Sequence, residues 1–216
     1  MTTFDRRQVL RAGLWAGGAG LAGLWARQAH ALTVTPQQTE GPFYPRAAPR
    51  EIDADLTWVA GQNEPALGVP TRVFGRVLSE DGRPMTGVKV EIWQCDIHGY
   101  YHYLGAPPHG ADPNFQGYGQ TTTRADAGYD FRTIRPVAYG GRTPHIHFAV
   151  SGDGFRRLTT QMYVAGEAKN ARDGILNRVR DPEQRAALIV PLDPHETEPG
   201  ALSGRFDLVL GRTLFE

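Results

Sequence analysis

The residues best suited to chemistry lie in Tyr139-Gly-Gly-Arg142-Thr-Pro-His145-Ile-His147-Phe-Ala-Val150. If this run ends in a strand, alternation puts His145, His147 and Ala149 on one face and Ile146, Phe148 and Val150 on the other. The second face is apolar and belongs in a core. The first aims two imidazoles at one spot, which is how a strand offers a metal two of its ligands. A bare His-x-His is a weak signal, so its meaning depends on its neighbours. A second cluster, Trp93-Gln-Cys-Asp96-Ile-His98-Gly-Tyr100-Tyr101-His102-Tyr103, enters a Gly/Pro-rich loop, where functional residues concentrate. Three tyrosines and two histidines compete there, and residue type alone does not choose among them. A carboxylate such as Asp96 or Glu167 could join His145 and His147 in a zinc or iron(II) centre, which is one reading open at this point.

Short alternating runs must position these groups. Strands are predicted over 71–78, 88–93, 129–134, 145–150, 158–164 and 205–210, separated by turns such as Glu80-Asp-Gly-Arg-Pro84. The pattern predicts an all-β fold, an antiparallel β-sandwich core with long loops. Asp181 as N-cap and Pro182 at the first helical position start a short helix running to about Leu188, one of one or two short helices expected. Residues 33–66 hold Pro36, Pro42, Pro45, Pro49 and Pro65 and read as an extended N-terminal arm wrapped over the domain. Gln161 and Tyr163 fall on one face of their strand. Trp93 and Cys95 read as core residues, while His98, His102, His109 and His195 read as ordinary loop histidines. Cys95 is the sole cysteine, so no internal disulfide can form. Lys plus Arg balance Asp plus Glu at 23 each, which gives no reason to expect a nucleic-acid partner or a charged membrane surface.

Residues 1–31 stand outside this pattern. Asp5-Arg6-Arg7-Gln8-Val9-Leu10-Arg11 precedes an apolar Gly/Ala/Leu run over 12–25 and then Ala29-His30-Ala31. A basic head, a short apolar middle and a small-residue exit make a secretory signal, and the paired arginines resemble the twin-arginine type. The expectation is cleavage after Ala31, export of an already folded protein to the periplasm or beyond, no membrane association afterwards, and one catalytic domain over 32–216. An uncleaved anchor is the rival reading, but the run falls short of the roughly 20 residues a spanning helix needs.

Taken together, the motifs resemble the intradiol ring-cleavage dioxygenases, and in size the protocatechuate 3,4-dioxygenase catalytic subunits. The matching pieces are Thr39-Glu-Gly-Pro-Phe-Tyr-Pro45, Ile92 through Tyr101, Phe131-Arg-Thr-Ile-Arg-Pro136, Tyr139 through Phe148, and Thr160-Gln-Met-Tyr163. They run in the family's order from residue 39 to about 180. The resemblance implies one Fe(3+) per chain, held by Tyr101, Tyr139, His145 and His147. Hard iron(III) suits phenolate oxygen better than thiolate, and four protein ligands leave room for substrate. The substrate implied is a small-molecule catechol, opened between its two hydroxyls by O2 to a cis,cis-muconate-type diacid. Tyr139 would be the ligand released when catechol binds. Arg142 would stabilise negative charge on the ring, and Pro42, Tyr44, Arg142 and Gln161 would line the substrate pocket. Subunits of this family assemble, so a homo-oligomer is compatible with the resemblance. Only Gly140-Gly141 separates Tyr139 from Arg142 where the protocatechuate-type pattern has bulkier residues, which implies a wider pocket. A non-catalytic β-sandwich partner or ligand-binding module is the alternative; it would bind no iron.

Overall fold

The computed structural model describes residues 32–47, 49, 51–104 and 107–215; the signal-like segment lies outside them. Two five-stranded sheets face one another. The first is built on β1 (Pro70–Ser79), whose alternating burial leaves one face to solvent. It pairs antiparallel with β4 (Gly128–Ile134) along one edge. Along the other it pairs with β9 (Leu202–Arg205) and then β10 (Leu208–Leu210), with β8 (Asp193–Pro194) beyond β9. The second sheet runs β3 (Tyr118–Thr122), β2 (Lys89–Trp93), β5 (His145–Ser151), β6 (Leu158–Val164), β7 (Ile189–Val190). Val73, Val77, Val90, Ile92, Phe131, Ile146, Phe148, Met162 and Leu208 fill the space between the sheets.

The β-sandwich expected from alternation is present, but its sheets are mixed. β7, β9 and β10 pair in parallel, β7 with β6 and the other two with β1. Parallel pairing needs a long crossover, which the chain from 80 to 201 supplies between β1 and β9. The single strand expected over 205–210 is two strands. Phe206 N–H reaches back to the Phe74 carbonyl (2.8 Å), and the Asp207 carboxylate accepts from Arg76 N–H (2.9 Å), so a side chain interrupts the ladder between β9 and β10. β3 was not expected: Tyr-Gly-Gln-Thr-Thr has no apolar alternation, and it is held by pairing with β2. The helix runs over Pro182–Ala187, with Asp181 accepting from the N–H groups of Glu183 and Gln184. Three short 3₁₀ turns accompany it. No helix among the described residues is long and apolar enough to cross a membrane.

The second sheet departs from simple alternation in a way that matters for the site. β5 and β6 are buried on both faces. Ile146, Phe148 and Val150 meet the other sheet, whereas His145, His147 and Ala149 face outward and lie beneath other chain. The cover is the predicted arm. Thr35 N–H donates to Val209 O (3.0 Å), Gln38 N–H to Thr159 O (2.8 Å), and Arg46 N–H to Tyr103 O (2.9 Å). These bonds pin a segment without regular structure across a sheet whose outer face carries polar side chains.

Phe148 joins the two sheets at the centre of the core and is fully buried. Phe148→Ala should cost about 3–5 kcal/mol in denaturant unfolding. A loss below about 1 kcal/mol would show that the sandwich does not depend on this contact.

Candidate metal centre

Register across the second sheet assembles the site's floor. Tyr118, Trp93, His147 and Gln161 form one row, each the lateral neighbour of the next, and His145 pairs with Tyr163 one step along. The His147 ring stacks on Trp93 with centroids 4.9 Å apart and planes 13° from parallel. The His145 ring is set by its backbone: Nδ1 lies 2.6 Å from Thr143 O, so Nδ1 carries the proton and Nε2 keeps its lone pair.

Two loops bring the tyrosines. After β2 the chain turns at Asp96 to Gly99, and the Asp96 carboxylate organises the loop beyond the turn. Oδ1 accepts from the N–H groups of His98 (2.9 Å) and Tyr100 (2.9 Å); Oδ2 accepts from Asp112 N–H (2.8 Å) and lies 3.4 Å from His102 Nε2. That framework buries Tyr101 and leaves Tyr100 exposed. Tyr139 arrives on a tight two-residue turn. Arg142 N–H donates to Tyr139 O (2.7 Å), and Gly140 and Gly141 both take positive φ, 49° and 85°. This is the type I′ geometry that favours glycine at both central positions. Tyr139 and Arg142 therefore stand as opposite members of a minimal hairpin.

The four rings close into a circuit. Centroids of Tyr101 and Tyr139 are 5.2 Å apart, Tyr139 and His145 5.5 Å, His145 and His147 5.0 Å, and His147 and Tyr101 6.1 Å. Tyr101 Oη, His145 Nε2 and His147 Nε2 are all buried without a hydrogen-bond partner. Buried polar atoms are rarely left so, and three around one circuit fit the donor set of a bound cation. Burial pushes the Tyr101 hydroxyl well above its ordinary pKa and raises that of Tyr139, so phenolate would require a metal's own charge nearby. Burial and the adjacent Arg142 charge bring His145 down to about 4, and burial, with the neighbouring His145 and Arg142, holds His147 well below its ordinary value. Both imidazoles are neutral at neutral pH, the form that ligates.

The carboxylates that could have completed a histidine centre are engaged elsewhere. Asp96 is bound into its own loop, and Glu167 pairs with Arg135. Among the described residues no group of three or more His, Cys, Asp or Glu side chains is placed to hold a metal. Arg142 lies beside the circuit, its Nε on Asp173 Oδ2 (2.7 Å) and Nη2 on Gln161 Oε1 (2.6 Å). Gln161 is fully buried and also donates to Thr39 O (3.2 Å), so its amide is committed to the protein. Pro42 is exposed on the arm. Tyr44 points its hydroxyl at Glu91 (2.7 Å) and packs against Trp93 and Tyr118. The arm residue that meets the tyrosines is Phe43, stacked on Tyr101 at 4.6 Å and edge-on to Tyr139 at 6.1 Å. Sequence reasoning missed Phe43, Asp173 and Thr143; each acts through a contact distant in sequence or through its backbone.

A sandwich with a tyrosine–histidine circuit on its outer face carries a candidate metal centre. A family described as Dioxygenase matches residues 39–212, and the chain belongs to that family. The protocatechuate 3,4-dioxygenase beta chain of Burkholderia cepacia is 40% identical over 169 residues, covering 74% of this chain and 72% of the relative. Catechol 1,2-dioxygenase 2 of Acinetobacter lwoffii is 33% identical over 178 residues, 71% of this chain and 62% of the relative. The dioxygenase domain of a dioxygenase carbohydrate-binding protein fusion from Streptomyces sp. SirexAA-E superimposes with a TM-score of 0.64 at 34% identity, covering 82% of this chain and 98% of that one.

Asp96 yields a pH prediction. Burial alone would raise its carboxyl pKa, but His102 and the N–H groups of Tyr100, Asp112 and His98 outweigh burial and hold it below the usual range. A depressed folded pKa contributes stability that is present above the unfolded value of about 3.9 and lost as pH falls through the folded one. The Tm of iron-free protein should therefore fall below about pH 4. Asp96→Asn should lower Tm at pH 7 and flatten that acid decline; parallel Tm curves for the two proteins would count against this role.

Proposed function

We propose that this chain is a non-haem iron(III) intradiol dioxygenase that opens a catechol-type ring between its two hydroxyls with O2, giving a cis,cis-muconate-type diacid. The observation that carries this reading is the circuit of two tyrosines and two histidines, with unpartnered buried donor atoms on Tyr101, His145 and His147, in a chain of the dioxygenase family. Tyr101, Tyr139, His145 and His147 hold the iron. Iron(III), when bound, supplies Lewis acidity and makes a chelated catecholate reactive toward O2.

The chain's residues divide the remaining work. Tyr101 is buried, stacked under Phe43, and stays in place. Tyr139 is half-buried on its glycine turn; with iron bound it would be the more mobile of the two tyrosine ligands, and its Oη would be placed to take up one catechol proton. Arg142 keeps a fixed positive charge beside the ring, where preorganised charge stabilises the anionic character that develops during attack on O2. A β-carbon at Gly140 or Gly141 would meet nothing within 4 Å, so the space over the turn is open to a substrate substituent. We further propose one catalytic domain over 32–216 and export directed by 1–31. N-terminal sequencing of the exported protein would test this, with a first residue near Leu32 expected.

Iron-loaded protein should show a visible tyrosinate-to-iron(III) charge-transfer band that moves to longer wavelength when catechol is added without O2. A colourless protein that still holds iron would overturn the tyrosinate assignment. The open turn predicts that Gly140→Asn, which keeps the left-handed conformation at low cost, lowers kcat/KM for catechols with a large ring substituent about tenfold more than for catechol. Equal effects on both substrates would remove the turn from specificity.

A further inference from the structure

Asp173 is a buried carboxylate that the proposed chemistry does not use. It lies between the 3₁₀ turns Ala168–Arg172 and Leu176–Arg178, with its side chain fully buried. Oδ1 accepts from the backbone N–H groups of Ile175 (3.0 Å) and Leu176 (3.0 Å). Oδ2 accepts from Arg142 Nε (2.7 Å) and Thr143 N–H (3.1 Å). Four donors, one of them charged, offset the desolvation of a buried anion. The two oxygens have different partners: one shapes the loop, and the other reaches the site.

Through Oδ2 this single group touches both halves of the site. Arg142 is gripped at Nε by Asp173 and at Nη2 by Gln161, while Nη1 makes no hydrogen bond among the described residues. Thr143 is gripped at N–H by Asp173 and at Oγ1 by Asn170 Oδ1 (2.7 Å), and the Thr143 carbonyl sets the His145 ring (2.6 Å). Asp173 and Asn170 come from one excursion of the chain, so that excursion clamps residues 142–145 from behind.

We infer that Asp173 is a positioning residue for ring cleavage, aiming the Arg142 guanidinium at the bound catechol and fixing the approach of the chain to His145. The inference rests on the proposed intradiol reading. Positioning and simple charge balance predict opposite results for Asp173→Asn, which keeps an oxygen for the Ile175 and Leu176 N–H groups but loses the acceptor for Arg142. Removing a negative charge alone would tighten binding of an anionic catecholate and lower KM. Loss of aim lowers kcat, because misplacement by about 1 Å costs on the order of 100-fold.

The test compares parent, Asp173→Asn, Arg142→Lys and the double variant, all iron-loaded. It also monitors the Arg142 Nε–H by NMR in iron-free protein. The expected result is a slowly exchanging Nε–H in the parent that exchanges rapidly in Asp173→Asn. With it, kcat should fall about 100-fold, KM should stay within about threefold of the parent, and the visible band should be retained. In the Arg142→Lys background, Asp173→Asn should cost only a few-fold more, since partners acting as a unit are non-additive. A kcat within about threefold of the parent despite the lost Nε–H protection would overturn the inference. So would a kcat loss that only tracks loss of iron and colour. An iron-loaded parent without colour or activity on catechols would refute the intradiol reading instead, while the Nε–H comparison would still decide whether Asp173 orients Arg142.

Discussion

Burial of ligating atoms without protein partners is the constraint on which the rest of this structure depends. Tyr101 Oη, His145 Nε2 and both ring nitrogens of His147 are buried without a hydrogen-bond partner. Each buried polar group left unpaired costs about 1–3 kcal/mol. A cation bound within the circuit would compensate for Tyr101 Oη and one nitrogen of each histidine together. This requirement shapes the surroundings. The rings must be held without engaging the ligating atoms, so His147 is fixed by stacking on Trp93 and His145 through its other nitrogen. The tyrosines need rigid loops, and the Asp96 hydrogen bonds and the glycine turn supply them.

A second buried carboxylate shows how the same face is sealed. Glu91 lies two residues before Trp93 on the same side of β2. It accepts from the hydroxyls of Tyr44 and Tyr118, both at 2.7 Å, with Lys89 and Arg157 nearby. Arg157 also sits over the Tyr44 ring at 4.6 Å and pairs with Glu40. The arm is thus anchored beside the circuit by charges it helps to bury. The row of polar side chains that would have been a solvated sheet face becomes a second, partly polar core.

Much of this could be read from residue order. Alternation alone located β1, β2, β4, β5 and β6 within a residue or two, because each presents large apolar side chains to the opposite sheet, valine, isoleucine or phenylalanine from the first four and Leu158 and Met162 from β6. It put His145 and His147 on one face for the same reason. Alternation failed where pairing, not side-chain burial, makes the strand, as in polar β3, and where Asp207 interrupts the ladder. The choice of Tyr101 over Tyr100 needed the family resemblance, and the structure supplies its physical reason in the Asp96-centred loop. Phe43, Asp173 and Thr143 left no mark in sequence. The first joins the site across 58 residues to Tyr101, the second across 31 to Arg142, and the third acts through its carbonyl.

The arm has a consequence for the order in which the molecule forms. Its bonds join Thr35 to Val209, Gln38 to Thr159 and Thr160 to Pro36, among the most remote pairs in the chain. Contacts of such long range are completed only after the elements they bridge exist. Until the arm settles, Phe43 is not over Tyr101, and Gly41 is not against His147, where its added β-carbon would lie 3.6 Å from the imidazole. Until then the circuit is open to solvent on one side, and it is enclosed only when the arm docks. The N-terminal segment is the door of a room whose walls are the sheet and the two tyrosine loops.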